Sequence, residues 1–336
     1  LGITIISLGL HIFKIGYPNH PVFDEAHFAT YATDYANAET HLDIHPPLGK
    51  IIYSIPLFFE KGIKGKNYKF IDLYEDPRTG TLNYNRTNND YGDFPYLKLR
   101  LISAVFGLLL VLAIYLFFKT LIGRNAAILA SLFIIFENAL LVETRLILLN
   151  GMFLAFGFFS LYFFFKNRQQ PVIAGLFLGL ALSVKLTAIV FWGPVLAYLG
   201  MATNNNQNAL KQFLKFSATG LILFFSIVIF MNNFFISAEK RVTYYQNIIQ
   251  NQLTHQKDEI TKSYFKLLLN NGLNPNIKAP LIELNTSLSG YTGGVDPHPQ
   301  QSKWYEWPFM KQIMIYDSKL DNNRTIGLIG NPFIWI

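Results

Sequence analysis

The sequence predicts an all-α protein, a multi-pass transmembrane helical bundle, and three observations carry that prediction. Hydrophobic residues fill 51% of the 336 positions and aromatic residues 16%, while charged residues fill only 15%, a balance unlike that of a soluble chain of this length. The apolar residues are clustered: Leu101 to Phe118, Leu146 to Phe165 and Phe216 to Ile236 each lack Asp, Glu, Lys and Arg. A helix rises about 1.5 Å per residue against a hydrocarbon core about 30 Å thick, so each run is long enough to span. The formal charge of +7 does not read as a nucleic-acid interface, because Lys and Arg collect at the ends of apolar runs. Cysteine is absent, which removes disulfides and Cys-ligated zinc.

The chain opens with an apolar segment, Leu1 to Phe13, that has neither a basic lead nor a small-residue cleavage pattern and reads as the remainder of a first spanning helix. Tyr17 to Arg100 is too polar to span. Within it, Leu48 to Phe59 is apolar but short, which suits a helix at the interface or packed on the bundle. Spans are expected at Leu101 to Phe118, Ala126 to Val142, Leu146 to Phe165, Pro171 to Val184, Leu186 to Met201 and Phe213 to Ile236. Lys119 with Arg124, Lys166 with Arg168, and Lys211 with Lys215 fall in alternate connections, which the positive-inside rule puts on the cytoplasmic side. Tyr17 to Arg100, the turn at Glu143 to Arg145, the hinge at Lys185 and the region Ser237 to Thr325 are then outside. The expected organisation is a membrane region at 1–236, an external region at 237–325, and the start of a further span at 326–336.

That threading places Asp24, Glu25, His27 and His45 in the first external region and puts Arg100, Arg145 and Lys185 at outer helix ends. Cations there oppose the usual charge bias. A bound lipid phosphate supplies a reason, since Arg offers a bidentate fork and Lys a point charge, although each alone can snorkel to headgroups. Asp24 has two readings: a cap for a helix with His27 in its first turn, or a base that takes the proton from an incoming hydroxyl. His45, before two prolines, reads as part of a rigid turn and as a partner for phosphate or carboxylate. Glu137, inside the Ala126 to Val142 span, is expected to pair with a basic neighbour such as Arg145. The histidines lack the spacing of a metal set, and no Rossmann or phosphate-loop glycine pattern is present.

Seven short segments, in order, carry a resemblance: Phe23-Asp24-Glu25-Ala26-His27-Phe28; Asp43-Ile44-His45-Pro46-Pro47-Leu48-Gly49-Lys50; Arg100-Leu101-Ile102-Ser103-Ala104 with Gly107; Glu137-Asn138; Thr144-Arg145-Leu146-Ile147-Leu148-Leu149; Ser183-Val184-Lys185; and Ser302-Lys303-Trp304-Tyr305-Glu306-Trp307-Pro308. The chain resembles the protein O-mannosyltransferases, glycosyltransferases of GT-C type. The resemblance implies transfer of mannose, with inversion, from a polyprenyl or dolichyl phosphate to Ser or Thr hydroxyls of exported polypeptide. It places the site on the outside of the cell membrane, with membrane lipids around the protein and no nucleic acid. Asp24 falls on the family's general base and Glu25 beside it in the acceptor site. Arg100, Arg145, Lys185 and His45 fall on the side of the donor phosphate, with Glu137, His298, Ser302, Trp304 and Trp307 in support. The lipid-linked sugar is then a substrate, and no cofactor is implied. Asn150 stands where the family usually has Asp, and Leu186 where an aromatic usually follows. The region Ser237 to Thr325 is too short for the β-trefoil domain of eukaryotic members, which is similar to the prokaryotic branch. A GT-C enzyme acting on a lipid or cell-wall glycan, an anion transporter and a non-catalytic membrane protein are the rival readings.

Overall fold

The computed structural model describes residues 2–41, 43–60, 62, 65, 66, 68–75, 82–87, 90–166, 170–201, 206–244, 275, 276, 278, 314–320 and 324–328. The chain divides into two compact units, one made of 1–25, 91–225 and 294–336, the other of 26–90 and 226–293. This division follows packing and not hydropathy: the second unit joins part of the first external region to the end of the last expected span.

The first unit is a helical bundle. Its helices are α1 (Gly2–Ile12), α4 (Tyr96–Ile122), α5 (Arg124–Phe136), α6 (Asn138–Glu143), α7 (Asn150–Lys166), α8 (Pro171–Val184), α9 (Trp192–Met201) and most of α10 (Asn206–Ser226). Helix α4 packs on α1, α5 and α7, and α7 packs on α8. Leu110, Ile114 and Ala155 form a core surrounded by Phe106, Leu109, Phe118, Ala130, Ile134, Leu154 and Phe158. Elsewhere α4 exposes Leu101, Val105, Leu112 and Ile122, apolar side chains that a membrane would cover. Helices α8 and α10 approach at glycines four residues apart. A methyl on Gly175 would lie 2.5 Å from the Phe216 carbonyl oxygen, and one on Gly179 would lie 2.7 Å from that of Gly220, so this small-residue seam sets the interhelical distance.

Several expected spans are broken, each for a local reason. The Ala126 to Val142 run stops at Glu137, whose extended backbone ends α5 and whose carboxylate accepts from the Ala139 N–H to start α6. The Leu146 to Phe165 run enters α7 only at Asn150, because the Ile147 N–H is bonded to the Glu25 carboxylate. Pro171 to Val184 appears as α8, and the run after Lys185 begins as a 3-10 turn, Leu186–Phe191, before α9. The final run passes from α10 through a π-helical stretch, Ile227–Met231, into α11 (Asn232–Phe235). Among the described residues, two helical stretches, Tyr96–Ile122 and Gln207–Phe235, are long and apolar enough to cross a membrane unaided.

The second unit contains α2 (Glu25–Asn37, from Ala26 on), α3 (Leu48–Phe58), the hairpin of β1 (Ile71–Glu75) and β2 (Leu82–Arg86), and α11 with the turn of helix after it. Tyr35, Ile51 and Ile236 form its core with Phe235. The strands pair antiparallel from Ile71 opposite Arg86 to Glu75 opposite Leu82. Just before β1 the Phe70 N–H donates to the Thr30 hydroxyl at 3.0 Å, fixing the hairpin on α2. A second hairpin, β3 (Met314–Leu320) and β4 (Arg324–Leu328), belongs to the first unit, and β4 overlaps the start of the span expected from Ile326.

Candidate active site

The turn that leads into the acidic pair is held by one arginine. Arg100, in the second turn of α4, uses all five N–H donors: Nε and one Nη2 bond reach Glu25, each at 2.8 Å, Nη1 donates to the Ile15 and Pro18 carbonyls, and Nη2 also reaches His20 O at 3.4 Å. Glu25 is equally committed. Its Oε1 accepts from Arg100 Nε and the Ile147 N–H, and its Oε2 accepts from Arg100 Nη2 and the Val22 N–H at 2.9 Å. Both side chains are 0% exposed. The guanidinium also lies over the Tyr96 and Tyr91 rings, at 5.0 and 5.6 Å. Burial, reinforced by the Glu25 charge, pushes the Tyr91 phenol well above its ordinary value, so the ring adds no second anion.

This geometry corrects two expectations. Arg100 has no donor left for a phosphate, and Glu25 has no face open to an acceptor; together they build the turn. Asp24 differs from both. It is half-buried, and among the described residues its carboxylate has no hydrogen-bond or ion-pair partner. Glu25, and not Asp24, takes up a backbone N–H of this turn, that of Val22. Immediately before it, Phe23 has φ 50°, a left-handed conformation that is an outlier for a bulky residue and a form of strain that concentrates at functional sites.

Lys185 sits in extended backbone between α8 and the 3-10 turn. Its Nζ donates to Asn150 Oδ1 at 2.9 Å and lies 5.7 Å from the Phe153 ring centre. Asn150 in turn donates to the buried Glu143 carboxylate at 2.8 Å. Asn150 therefore serves as a neutral bridge between an ammonium and a carboxylate, which is where its departure from the family pattern acts. Arg145 is elsewhere engaged, its Nη2 donating to the Phe13 carbonyl. It makes no ion pair among the described residues, so the expected pairing with Glu137 does not form; Glu137 instead caps α6.

In the second unit, His45 has a carboxylate for its partner. Its Nδ1 lies 3.0 Å from Asp43 Oδ1, while Lys50 Nζ reaches Asp43 Oδ2 and the His45 carbonyl, each at 2.8 Å. The two prolines turn the chain so that Lys50, 0% exposed in the first turn of α3, points back into its own N-terminal approach. Burial favours neutral Asp43, but Lys50 and His45 prevail and hold its carboxyl well below the usual range. Nearby, burial pushes Asp34 up to about 7 and His41 well down. Their 3.6 Å approach is accordingly not a full ion pair near neutral pH. His41 is also stacked on Tyr31 at 4.5 Å. Lys50 and Asp34 escaped the sequence reading, although Lys50 lay inside a quoted motif, and His41 was read there only as a histidine without metal-site spacing. His298, Ser302, Trp304 and Trp307 lie outside the described residues.

The model of the family described as dolichyl-phosphate-mannose-protein mannosyltransferase matches residues 2–241. The chain belongs to that family. A Saccharomyces cerevisiae relative, dolichyl-phosphate-mannose–protein mannosyltransferase 3, is 32% identical over 200 residues, covering 55% of this chain and 24% of the relative. Protein O-mannosyltransferase 1 of Drosophila melanogaster is 30% identical over 152 residues, covering 45% of this chain and 15% of the relative. The chain thus spans about a quarter or less of the length of these mannosyltransferases. Among solved structures, the S. cerevisiae protein O-mannosyltransferase Pmt1-Pmt2 complex bound to the sugar donor matches with a TM-score of 0.53 and 20% identity, over 74% of this chain and 33% of that one. Family membership and this likeness establish the fold class as the multi-pass helical membrane bundle of GT-C type.

Proposed function

We propose that the chain is the catalytic part of a glycosyltransferase that moves mannose or a related sugar from a polyprenyl or dolichyl phosphate to Ser or Thr hydroxyls of exported polypeptide, on the outer side of the cell membrane. The observation that carries this reading is the unequal treatment of two adjacent acids: Glu25 is consumed by Arg100 and two backbone N–H groups, while Asp24 is presented without a partner among the described residues. Asp24 accepts the proton of the acceptor hydroxyl as its oxygen bonds to the sugar carbon. The bond from that carbon to the phosphate oxygen breaks with inversion, and the lipid phosphate leaves with the electron pair. Lys185 supplies positive charge to the departing phosphate, held in place by Asn150. Arg100 acts one step back, by fixing the turn on which Asp24 stands. Membrane lipids surround the bundle, and the lipid-linked sugar is the donor substrate.

The test is Asp24→Asn in the full-length protein, assayed in membranes with polyprenyl-phosphate-linked mannose and a Ser/Thr peptide, with products read by mass. An amide takes up no proton at neutral pH, so turnover should fall by roughly a hundredfold to ten-thousandfold while expression and donor binding persist. Near-normal turnover at saturating substrates would remove Asp24 from the mechanism. Transfer to a lipid or glycan in place of the peptide would keep the chemistry and change the acceptor.

A further inference from the structure

The geometry points to a second lipid-phosphate seat, formed by Lys14 and Arg145 where α1 ends, that holds the headgroup of an anionic phospholipid of the surrounding leaflet. It goes beyond the transfer reaction and does not depend on it. A cavity of about 270 Å³ lies between this turn and the 142–146 turn, lined by Phe13, Lys14, Tyr17, Val142, Arg145 and Leu146 among others. A water occupies roughly 30 Å³ in the liquid, so the space suits a larger polar group than one bridging solvent molecule.

Its polar lining is cationic. Neither Lys14 nor Arg145 has a carboxylate partner among the described residues, and Lys14 Nζ lies 5.5 Å from the Phe13 ring centre. Arg145 is fixed through Nη2 to the Phe13 carbonyl, yet its Nε is buried without an acceptor. Its Nη1 bonds to none of the described residues and is open to an anionic oxygen, of which a phosphate presents several. Lys14 stands at φ 50°, a conformation that glycine adopts without steric cost and lysine does not. The turn therefore carries an ammonium at a strained position.

The surroundings choose the form of the phosphate. Ile12, Phe13 and Tyr17 are 44%, 64% and 49% exposed beside the cavity, an apolar and aromatic rim that suits the boundary between acyl chains and headgroups. Basic pockets at helix ends on that level take anionic lipid heads. A phosphodiester whose tails lie against Phe13 and Ile12 meets both halves of this surface.

The experiment uses the full-length protein in nanodiscs of phosphatidylcholine alone or with one quarter phosphatidylglycerol, read by Tm and by lipid retention in native mass spectrometry. Wild type should retain phosphatidylglycerol and melt higher in its presence. Lys14→Gln should weaken retention by about fivefold and Lys14→Gln with Arg145→Gln by about thirtyfold, from the attraction typical of one surface cation each. Lys14 is exposed and its ammonium makes no hydrogen bond or ion pair to the described residues, so its variant tests the seat without threatening the fold. Unchanged retention in Lys14→Gln would overturn the inference. An equal rise in Tm from inorganic phosphate in phosphatidylcholine discs would also overturn it, by assigning the seat to a free anion. So would an intact phosphatidylglycerol response in the double variant accompanied by a raised KM for the polyprenyl-phosphate sugar, which would give the seat to the donor.

Discussion

Replacing Glu25 by Gln changes one oxygen to an amino group and tests whether the acidic pair is divided between structure and chemistry. Each carboxylate oxygen of Glu25 accepts one bond from Arg100 and one from a backbone N–H. Whichever way the amide is turned, two of those donors lose their acceptor and face an NH₂ group, and the Arg100 charge loses its counter-ion at 0% exposure. Two unsatisfied buried donors cost about 1–3 kcal/mol each, and breaking a buried ion pair from one side costs about 3–5 kcal/mol. The two routes agree near 4 kcal/mol, a fall in Tm of roughly 10 °C. Thermal unfolding of the full-length protein in nanodiscs, followed by tryptophan fluorescence, measures it. The companion Glu25→Gln with Arg100→Gln removes the charge with its partner and should be less destabilised than the sum of the single variants, by about 1–3 kcal/mol. If Glu25→Gln melted within the range of an ordinary surface change, about 0.5 kcal/mol, the turn would not depend on this pair and the assignment of roles to Glu25 and Asp24 would fail.

The remaining predictions concern the neighbours of that site. Asn150→Asp puts a second carboxylate 2.8 Å from Glu143 and beside Lys185; two acids so close share a proton, and donor KM should rise with a pH dependence absent from the native protein, read by donor titration between pH 6 and 8. Asp34, raised to about 7 by burial against the opposing charges of Lys69 and Lys50, stabilises the fold below its unfolded value of about 3.9, and that contribution is lost as pH rises through about 7. Asp34→Asn should therefore gain stability relative to wild type across that window and hold the gain above it, as amide exchange in α2 would report; a constant difference from pH 4 to 8 would contradict the shift. Gly179→Ala places a methyl 2.7 Å from the Gly220 carbonyl and should destabilise the bundle by about 1–3 kcal/mol, whereas alanine at Gly193, which meets nothing within 4 Å, should not; equal melting of the two would remove the seam between α8 and α10.

The sequence displayed the apolar runs plainly because length and absence of charge are local properties: α8 has the expected bounds, and α4, Tyr96–Ile122, contains the expected run and continues past both of its ends. It did not display the interruptions. Glu137 and Ile147 break their helices through a cap and through a bond to Glu25, 122 residues away in the chain, and no hydropathy window contains that partner. The hairpin at Ile71 to Arg86 was hidden for a related reason: its strands alternate weakly, and its anchor is the hydroxyl of Thr30. At the site, the residue types were legible and their duties were not. Arg100 and Glu25 read as ligand and acceptor contact because a charge near a membrane surface asks for a partner, and the sequence offers no way to see that each is the other's. Lys50 went unremarked because, read in order, it is an ordinary surface lysine after a Pro-Pro turn, whereas folding returns it to Asp43 at 2.8 Å.

The Arg100 clasp also constrains how the protein is made. The carbonyls of Ile15, Pro18 and His20 and the carboxylate of Glu25 emerge from the ribosome long before the arginine that gathers them, which lies 75 residues beyond Glu25. Until α4 has entered the membrane, only the local bonds between Val22 and Glu25 hold the turn, and closing that long loop is a late and entropically costly event. The turn that carries Asp24 is thus set only in a chain in which α1 and α4 have already come together. A nascent or truncated product lacking α4 carries the acid without its setting, so the turn doubles as a checkpoint on assembly.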